Sequence, residues 1–365
     1  MKYFYYLYRC FLKKAMNMKS MQLTGIRQME MFDVPKPDLQ TDADVLIRMQ
    51  AVGVCGSDVH YYTTGKIGSQ VVKYPFPVGH EGAGIIEKIG AAVHSLHVGD
   101  RIAIEPAMPC ETCDQCLIDR PHTCRKLRFL GCPEQAEGCL SEYIVMPQGS
   151  CLPIPDSMSI EQATVSEPLA IGLYAARLAG ELKGKNIAIL GSGPIGLSVL
   201  AGLRLAGAGN VYITDKIDER LAIVNNGKDR AHPVSTYNIL RDDIVAEVEK
   251  QEPLMLDMVF ECCGQQDALD QAIQLLKPGG KLMIVGIPEF SRFSFSVDDL
   301  RRKEICIQNV RRQNGCDKEA IRVIANGSVS VDHWITHRFD FEKSKGAFDL
   351  VADYRDGVMK AMINF

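Results

Sequence analysis

Four cysteines that lie close together in the chain suggest one kind of chemistry. Cys110, Cys113, Cys116 and Cys124 are separated by three, three and eight positions. Thiols at this density can bind a metal ion, form disulfides or carry out redox chemistry. The chain has 13 cysteines and shows no secretory signal, so we expect a reducing compartment, the cytoplasm, and no disulfides. Metal binding and redox chemistry both stay open at this point.

A second set of metal-ligand residue types lies upstream of these cysteines. Cys55 begins Cys-Gly-Ser-Asp-Val-His, and His80 and Glu81 are adjacent in Gly-His-Glu-Gly. A catalytic zinc takes about three protein ligands and keeps one position open. Cys55, His80 and Glu81 fit that need, and Glu167 could bind the metal directly or through its water. Asp58 is expected to bond the far ring nitrogen of His80 and fix its tautomer. Taken singly, Cys55 and His80 could equally be core residues.

A glycine-rich turn indicates a dinucleotide site. Leu-Gly-Ser-Gly-Pro-Ile-Gly follows a short apolar strand and opens an apolar helix, which raises an otherwise weak G-x-G-x-x-G motif. Phosphates would bind the exposed amides at the helix N-terminus. Asp215 ends the next strand, about 20 residues on, and favours NAD over NADP because its carboxylate would repel a 2′-phosphate. The cations Lys216 and Arg220 leave some use of NADP open. The expected cofactor-binding residues are Gly191, Gly193, Pro194, Ile195, Gly196, Asp215 and Arg220.

The overall composition argues against some classes of partner. The 365-residue chain carries a formal net charge of -4, so no basic surplus points to nucleic acid. The N-terminal aromatic stretch is interrupted by Arg9, Lys13 and Lys14, which suits neither a signal peptide nor a spanning helix, and no membrane partner is expected. We expect residues 1–20 to be a disordered extension, with a weak interfacial anchor as the alternative.

Two hydrophobic patterns divide the rest of the chain. Residues 21–165 contain short β-type runs separated by turn residues, which predicts a barrel-like β domain. Residues 166–309 alternate short apolar strands with helices, which predicts a parallel sheet with helices on both faces. Residues 310–365 are expected to return to the first domain and complete it. The predicted fold class is therefore α/β with two domains.

Several motifs together resemble the zinc-containing medium-chain alcohol dehydrogenases. Residues 79–93 read G-H-E-x-x-G-x-x-x-x-x-G-x-x-V, which is similar to the family signature. Ser-Glu-Pro-Leu at 166–169 and Ile-Thr-His-Arg-Phe at 335–339 resemble the sorbitol (polyol) dehydrogenase branch. The resemblance covers nearly all of residues 21–365. It implies a partly open GroES-like β-barrel catalytic domain, a Rossmann domain, a cleft between them, and a homotetramer or homodimer.

The resemblance also bears on the four cysteines. Their spacing is the one expected of a closed tetrahedral zinc site with four thiolates, which holds structure and leaves no position open for chemistry. The equivalent lobe of the family carries a structural zinc, so two Zn2+ per subunit are expected, one catalytic and one structural. The alternative is four free thiols, because some polyol dehydrogenases lack this zinc.

The function that the resemblance implies is the reversible NAD-linked oxidation of a secondary hydroxyl of a polyol, such as sorbitol, xylitol or L-iditol, to the ketose. Ser57 would pass the released proton through the cofactor ribose, and His60 would deliver it to solvent. Glu167 is an alternative proton carrier. Cys55, Ser57, His60, His80, Glu81 and Glu167 thus form the expected catalytic set.

The substrate residues are also expected from the resemblance. Ser57, Tyr61, Phe129 and Arg311 would contact the polyol. Arg312 departs from the aromatic residue of the family pattern. A second guanidinium would favour an anionic substrate through bidentate bonding, but the simpler expectation is that Arg312 points to solvent.

Three alternatives to a polyol dehydrogenase follow from the same residues. One is a zinc dehydrogenase of a sugar acid or sugar phosphate, of the L-idonate or galactitol-phosphate type. Another is an L-threonine dehydrogenase. The third is a nucleotide-binding protein without catalysis, which predicts the loss of a zinc ligand or of the proton relay. Every expected ligand is present, which disfavours the third.

Overall fold

The structure is a computed structural model that describes residues 17–225 and 234–365. Most of the extension expected over residues 1–20 therefore lies outside the described residues. Strand β1 (Asn17–Gly25) pairs antiparallel with β2 (Gln28–Pro35). The expectation of disorder is wrong for residues 17–20, because β1 already begins there and buries Met18 and Met21.

The first sheet combines strands from both ends of the chain. Its strands are β3 (Asp44–Gly53), β6 (Glu81–Ile89), β7 (Arg101–Ile104), β10 (Tyr143–Pro147), β11 (Cys151–Pro153), β18 (Ile335–Asp340) and β19 (Lys360–Asn364). They lie in the order β11-β7-β6-β3-β19-β18, and β10 also pairs with β3. In β3 the alternate residues Val45, Ile47 and Met49 are buried, as the two-residue repeat of a strand requires. The last strand, β19, is hydrogen-bonded directly to β3.

Short elements decorate this sheet and carry site residues. Helix α1 (Gly56–Thr64) follows β3, and helix α2 (Asp114–Leu117) lies within the cysteine-rich loop. Two ribbons complete the region, β4 (Lys66–Ile67) with β5 (Gln70–Val71) and β8 (Ala107–Met108) with β9 (Arg128–Phe129).

The second sheet is parallel and doubly wound. Its strands are β12 (Ile187–Leu190), β13 (Val211–Asp215), β14 (Val234–Asn238), β15 (Leu256–Glu261), β16 (Leu276–Ile284) and β17 (Cys306–Asn309). Their order is β14-β13-β12-β15-β16-β17, which is the Rossmann arrangement with its switch point between β12 and β15. The central strand β12 reads Ile-Ala-Ile-Leu and is buried throughout, because helices cover both faces of such a sheet.

Helices connect and cover these strands. In chain order they are α3 (Ile160–Ala179), α4 (Pro194–Leu205), α5 (Asp218–Val224), α6 (Ile244–Gln251), α7 (Gln266–Leu275), α8 (Val297–Lys303), α9 (Asp317–Ala325) and α10 (Ser344–Ala352). Within the two described ranges, none of the helices is both long enough and apolar enough to cross a bilayer.

Helix α3 lies between the two sheets. It begins with a complete capping box, in which Ser159 and Gln162 satisfy each other's backbone N–H groups. One side of α3 packs against β3, β6 and β7, and another packs against α4 and α9. The helix therefore determines how the β-rich part of the chain is placed against the Rossmann sheet.

The contact of α3 with α4 depends on Gly172. A Cβ atom there would overlap the backbone of Ser198 in α4. We predict that Gly172→Ala lowers the free energy of unfolding by about 1–3 kcal/mol, the usual cost of overpacking. This sign is informative, because alanine is favoured over glycine inside an exposed helix by about 1 kcal/mol.

Chemical denaturation of purified variants measures this effect. Gly149→Ala is the matched control, because a Cβ at Gly149 would meet nothing within 4 Å. Equal stability of the two variants would show that α3 and α4 do not pack as closely as described.

Candidate active site

Three side chains with metal-ligand chemistry converge where β6 begins and α1 begins. Cys55 immediately precedes α1, His80 precedes β6, and Glu81 is the first residue of β6. One ligand atom of each lies within 4.8 Å of the others. His80 and Glu81 are buried and Cys55 is half-buried. A thiolate, an imidazole and a carboxylate are the donor set of a zinc that keeps one position open, so these residues fit that ion.

Asp58 orients the ring of His80, as expected from the sequence. Its Oδ1 atom lies 3.2 Å from Nδ1 of His80 and accepts the backbone N–H of Gly79 at 3.2 Å. A carboxylate can only accept there, so Nδ1 carries the proton and Nε2 is left for a metal. Burial opposes charge on His80, but Asp58 and Cys55 outweigh it and raise the pKa of His80 well above its ordinary value. The same negative field favours a bound cation.

Glu81 is shared between this group and a lysine that the sequence analysis missed. Nζ of Lys360 donates to both carboxylate oxygens of Glu81, at 2.8 and 2.6 Å, and both side chains are buried. Burial opposes the charge of Lys360, but Glu81 outweighs it, so the pKa of Lys360 is raised. The available sequence signal was a lone lysine opening the apolar strand Lys-Ala-Met-Ile.

Two further buried carboxyl groups lie near the three ligand residues. Glu167 of α3 is outside the group that shares 4.8 Å, and its Oε2 has no hydrogen-bond partner among the described residues. Burial raises the pKa of Glu167 to about 7, although His80 acts in the opposite direction. Glu105 accepts hydrogen bonds from the backbone of Ala107 and from Nε2 of Gln313, and burial raises its pKa to about 8. Glu167 is therefore suited to proton exchange near neutral pH.

The side chains expected to handle the proton and the substrate lie on α1. The hydroxyl of Ser57 donates to Sγ of Cys55 at 3.4 Å. Nδ1 of His60 lies 3.5 Å from Oε1 of Glu289. Burial lowers the pKa of His60, partly offset by Glu289, so a neutral ring that can accept a proton is favoured. Tyr61 is buried on the same helix, and burial raises the pKa of its hydroxyl.

The aromatic wall of the site is Phe129. Its ring centroid is 5.3 Å from that of His80, and Cζ of Arg312 lies 3.5 Å from the same centroid. The expectation that Arg312 points to solvent is wrong, because its guanidinium packs on the aromatic face. Burial lowers the pKa of Arg312 to about 10, still far above neutrality. Arg311, the neighbour expected to bind substrate, is exposed, and its role stays a prediction.

The glycine turn has the geometry that its motif predicts. Gly191 has a φ of 102°, a left-handed conformation that favours glycine. A Cβ at Gly196 would overlap the carbonyl oxygen of Gly191, so the turn and the helix approach closely. Gly193 caps α4, and Pro194 and Ile195 are its first residues. The free N–H groups of this helix start form a ready site for a diphosphate.

Asp215 and Arg220 stand beside this turn. Oδ2 of Asp215 accepts the backbone N–H of Ser192 at 2.9 Å, which joins the end of β13 to the turn. Nε of Arg220 donates to the carbonyl of Val358 at 2.8 Å. A Cβ at Gly193 would lie 3.7 Å from Nη1 of Arg220. An acid and a base thus flank the end of the turn, where a dinucleotide ribose and phosphate would lie.

The four cysteines of the loop form a second candidate metal centre. Their Sγ atoms all lie within 4.8 Å of one another, and none of the four forms a disulfide. The backbone N–H of Cys110 and that of Lys126 each donate to Sγ of Cys124 at 3.3 Å. The backbone N–H of Thr112 leads the contacts that lower the pKa of Cys110 to about 6. Thiolates held in this way fit a closed zinc site.

Comparison with known proteins supports this interpretation. Residues 41–156 match the family model described as alcohol dehydrogenase GroES-like domain, and residues 194–326 match the one described as zinc-binding dehydrogenase. The chain is 34% identical over 348 residues to sorbitol dehydrogenase of Bacillus subtilis, which covers 95% of this chain and 97% of the relative. It is also 34% identical over 346 residues to L-idonate 5-dehydrogenase of Vitis vinifera, covering 94% and 93% respectively.

A solved structure agrees with these matches. The crystal structure of a Sinorhizobium meliloti protein bound to NADP superposes with a TM-score of 0.86 at 26% identity, and covers 96% of this chain and 100% of that one. The chain therefore belongs to the zinc-binding dehydrogenases and is an oxidoreductase. The family, the two-part α/β fold class and the enzyme class expected from the sequence are confirmed.

The pair of Glu81 and Lys360 offers a test of the site's electrostatics. We predict that Lys360→Met lowers the free energy of unfolding by about 3–5 kcal/mol, because the variant leaves the buried carboxylate without its cation. Lys250→Met removes an exposed pair with Glu247 and should cost less than about 1 kcal/mol. Urea unfolding of both variants measures the difference, and similar losses would contradict the buried pair.

Proposed function

We propose that this protein oxidises a secondary hydroxyl of a polyol or sugar-derived alcohol to the ketone, reversibly and with NAD. One observation carries the proposal: Cys55, His80 and Glu81 lie together beside polar atoms that have no partner of their own. Oε2 of Glu167 and Nη1 of Arg312 are buried without hydrogen bonds in the described part of the chain. Unpaired donors and acceptors suit a substrate with several hydroxyls better than an aliphatic alcohol.

The chain's own residues can be given roles in that reaction. A zinc ion held by Cys55, His80 and Glu81 would acidify the substrate hydroxyl as a Lewis acid, and the nicotinamide would take the hydride. Ser57, hydrogen-bonded to Cys55, is placed to receive the hydroxyl proton, and the neutral ring of His60 can pass it to solvent.

Glu167 is a second proton acceptor for the same reaction. Its carboxyl is buried, and its pKa of about 7 lets it exchange a proton near neutral pH. Tyr61 and Phe129 would form the walls of the substrate pocket.

The cofactor content and the assembly belong to the same proposal. Two zinc ions per subunit would be bound, one by the catalytic group and one by Cys110, Cys113, Cys116 and Cys124. NAD is preferred over NADP because the carboxylate of Asp215 stands where a 2′-phosphate would lie. We place the protein in the cytoplasm as a homotetramer or homodimer.

The similar proteins leave the substrate open. The Bacillus subtilis relative is named for a neutral polyol and the Vitis vinifera relative for a sugar acid, at equal identity to this chain. Rates with sorbitol, xylitol, L-idonate and L-threonine would separate a polyol dehydrogenase from the two alternative substrate classes.

The zinc role is tested with Cys55→Ser. We predict that the purified wild type holds two zinc ions per subunit and that the variant holds one. Reduction of NAD by the best alcohol of the panel should fall at least about 1000-fold, because the chemistry assigned to the ion supplies several kcal/mol. Elemental analysis and absorbance at the NADH band measure the two effects.

Cys151→Ser is the matched control, because Cys151 is buried in β11 and belongs to neither cysteine set. It should retain both ions and most of the activity. Full activity of Cys55→Ser would overturn the zinc mechanism.

The cofactor preference is tested at Asp215. We predict that Asp215→Ser lowers kcat/KM for NAD about tenfold or more and leaves kcat/KM for NADP unchanged or higher, because repulsion of the 2′-phosphate is lost. Asp218→Ser is the control, since Asp218 pairs with the exposed Arg241 instead. A wild-type preference for NADP would refute the assignment.

A further inference from the structure

Arg312 is a buried cation that the proposed catalytic steps do not use. Its Nη1 atom is inaccessible and makes no hydrogen bond to the described residues. No ion pair involving it occurs in residues 17–225 and 234–365 either. A guanidinium out of water without a partner is costly, because its desolvation is not repaid. Such an atom therefore points to a ligand.

The position of Arg312 places it in the substrate pocket. Phe129 contacts it on one side, with 3.5 Å from Cζ to the ring centroid, and approaches His80 on the other, with 5.3 Å between ring centroids. The charge of Arg312 also acts on Tyr61 and Glu167. The guanidinium thus lies one aromatic ring away from a candidate zinc ligand, about where the far end of a short alcohol would reach.

The backbone holds Arg312 in this position. Its φ of 54° is a left-handed conformation that is uncommon for arginine. The next residue, Gln313, donates to Glu105 at 2.6 Å and accepts the backbone N–H of Cys316 at 2.8 Å. Asn314 donates to the carbonyl of Asp119 at 2.9 Å. Anchors directly after Arg312 keep its side chain aimed into the site, where strained backbone often serves function.

The chemistry of the guanidinium selects the ligand. Phe129 covers a face of the group, while the N–H donors lie in its plane and stay available. A carboxylate or phosphate accepts two such donors at once and neutralises the charge. A neutral hydroxyl can do only the first of these, and only with one donor.

We propose that Arg312 binds an anionic group, a carboxylate or a phosphate ester, at the end of the alcohol substrate remote from the oxidised carbon. This inference rests on the proposed function and narrows its substrate class to sugar acids or sugar-alcohol phosphates. The exposed neighbour Arg311 adds positive charge to the approach. Arg312 is a specificity-determining residue in this scheme and takes no part in proton or hydride transfer.

Matched substrate pairs test the proposal with the complete zinc-loaded enzyme. L-iditol and L-idonate form one pair, and galactitol and galactitol 1-phosphate form the other. We predict a wild-type kcat/KM at least about tenfold higher for the anionic member of one pair, and the pair concerned distinguishes carboxylate from phosphate. In Arg312→Gln this value should fall about 100-fold, as the loss of a charged bidentate contact implies, while neutral polyols change less than about threefold.

Two further variants serve as controls. Arg312→Lys keeps the charge without the fork and should lie between the wild type and Arg312→Gln for the anionic substrate. Arg311→Gln removes an exposed charge from the adjacent position and should leave the preference intact. Equal losses for neutral and anionic substrates in Arg312→Gln would mean that Arg312 only supports Glu167 or the fold, and would overturn the proposal. So would a wild-type preference for neutral polyols.

A binding measurement separates this inference from the proposed function. Calorimetric titration of L-idonate and of galactitol 1-phosphate into the enzyme with NADH should show binding that Arg312→Gln weakens at least about tenfold. If no alcohol is oxidised, the proposed function fails and the titration alone decides on Arg312. If neutral polyols are oxidised but neither anion binds through Arg312, the proposed function stands and this inference fails.

Discussion

Buried negative charge at the junction of β3, β6 and α1 is the constraint on which the site depends. Asp58, Glu81 and the thiol of Cys55 surround His80. Ionised groups cannot be buried without partners except at a cost of several kcal/mol each. Lys360 neutralises part of this charge, and a divalent cation would neutralise the rest. Because Lys360 opens β19, the last strand of the chain has to return to β3, and the first sheet is completed by the same residue that balances the site.

A second constraint is the packing of α3 between the sheets. The helix carries Glu167 toward the metal-ligand residues, and its Gly172 lies against the backbone of α4. Helix α4 begins at the glycine turn that would hold the cofactor phosphates. Close helix packing leaves little freedom to slide, because small changes of volume are felt at native density. The distance between the candidate metal group and the nucleotide turn is therefore set by this one contact.

The polarity of the pocket comes from a few residues added to this frame. Phe129 forms an aromatic wall, and Glu167 and Arg312 present unpaired atoms. None of these residues is needed for the order of the strands, so substrate choice can vary while the fold is kept. Relatives named for a neutral polyol and for a sugar acid, at the same identity to this chain, are consistent with that separation.

The sequence by itself determined the features that depend on neighbours in the chain. The glycine turn between β12 and α4 and the four cysteines follow from short spacings, and the two sheet types follow from hydrophobic period. Only the tertiary structure decided which distant groups meet. Glu81 and Lys360 are 279 positions apart, and Glu105 and Gln313 are 208 apart, so no local pattern relates them. It also decided that Arg312 turns inward while Arg311 is exposed, because a single left-handed backbone angle and the ring of Phe129, neither visible in the residue order, choose between adjacent arginines.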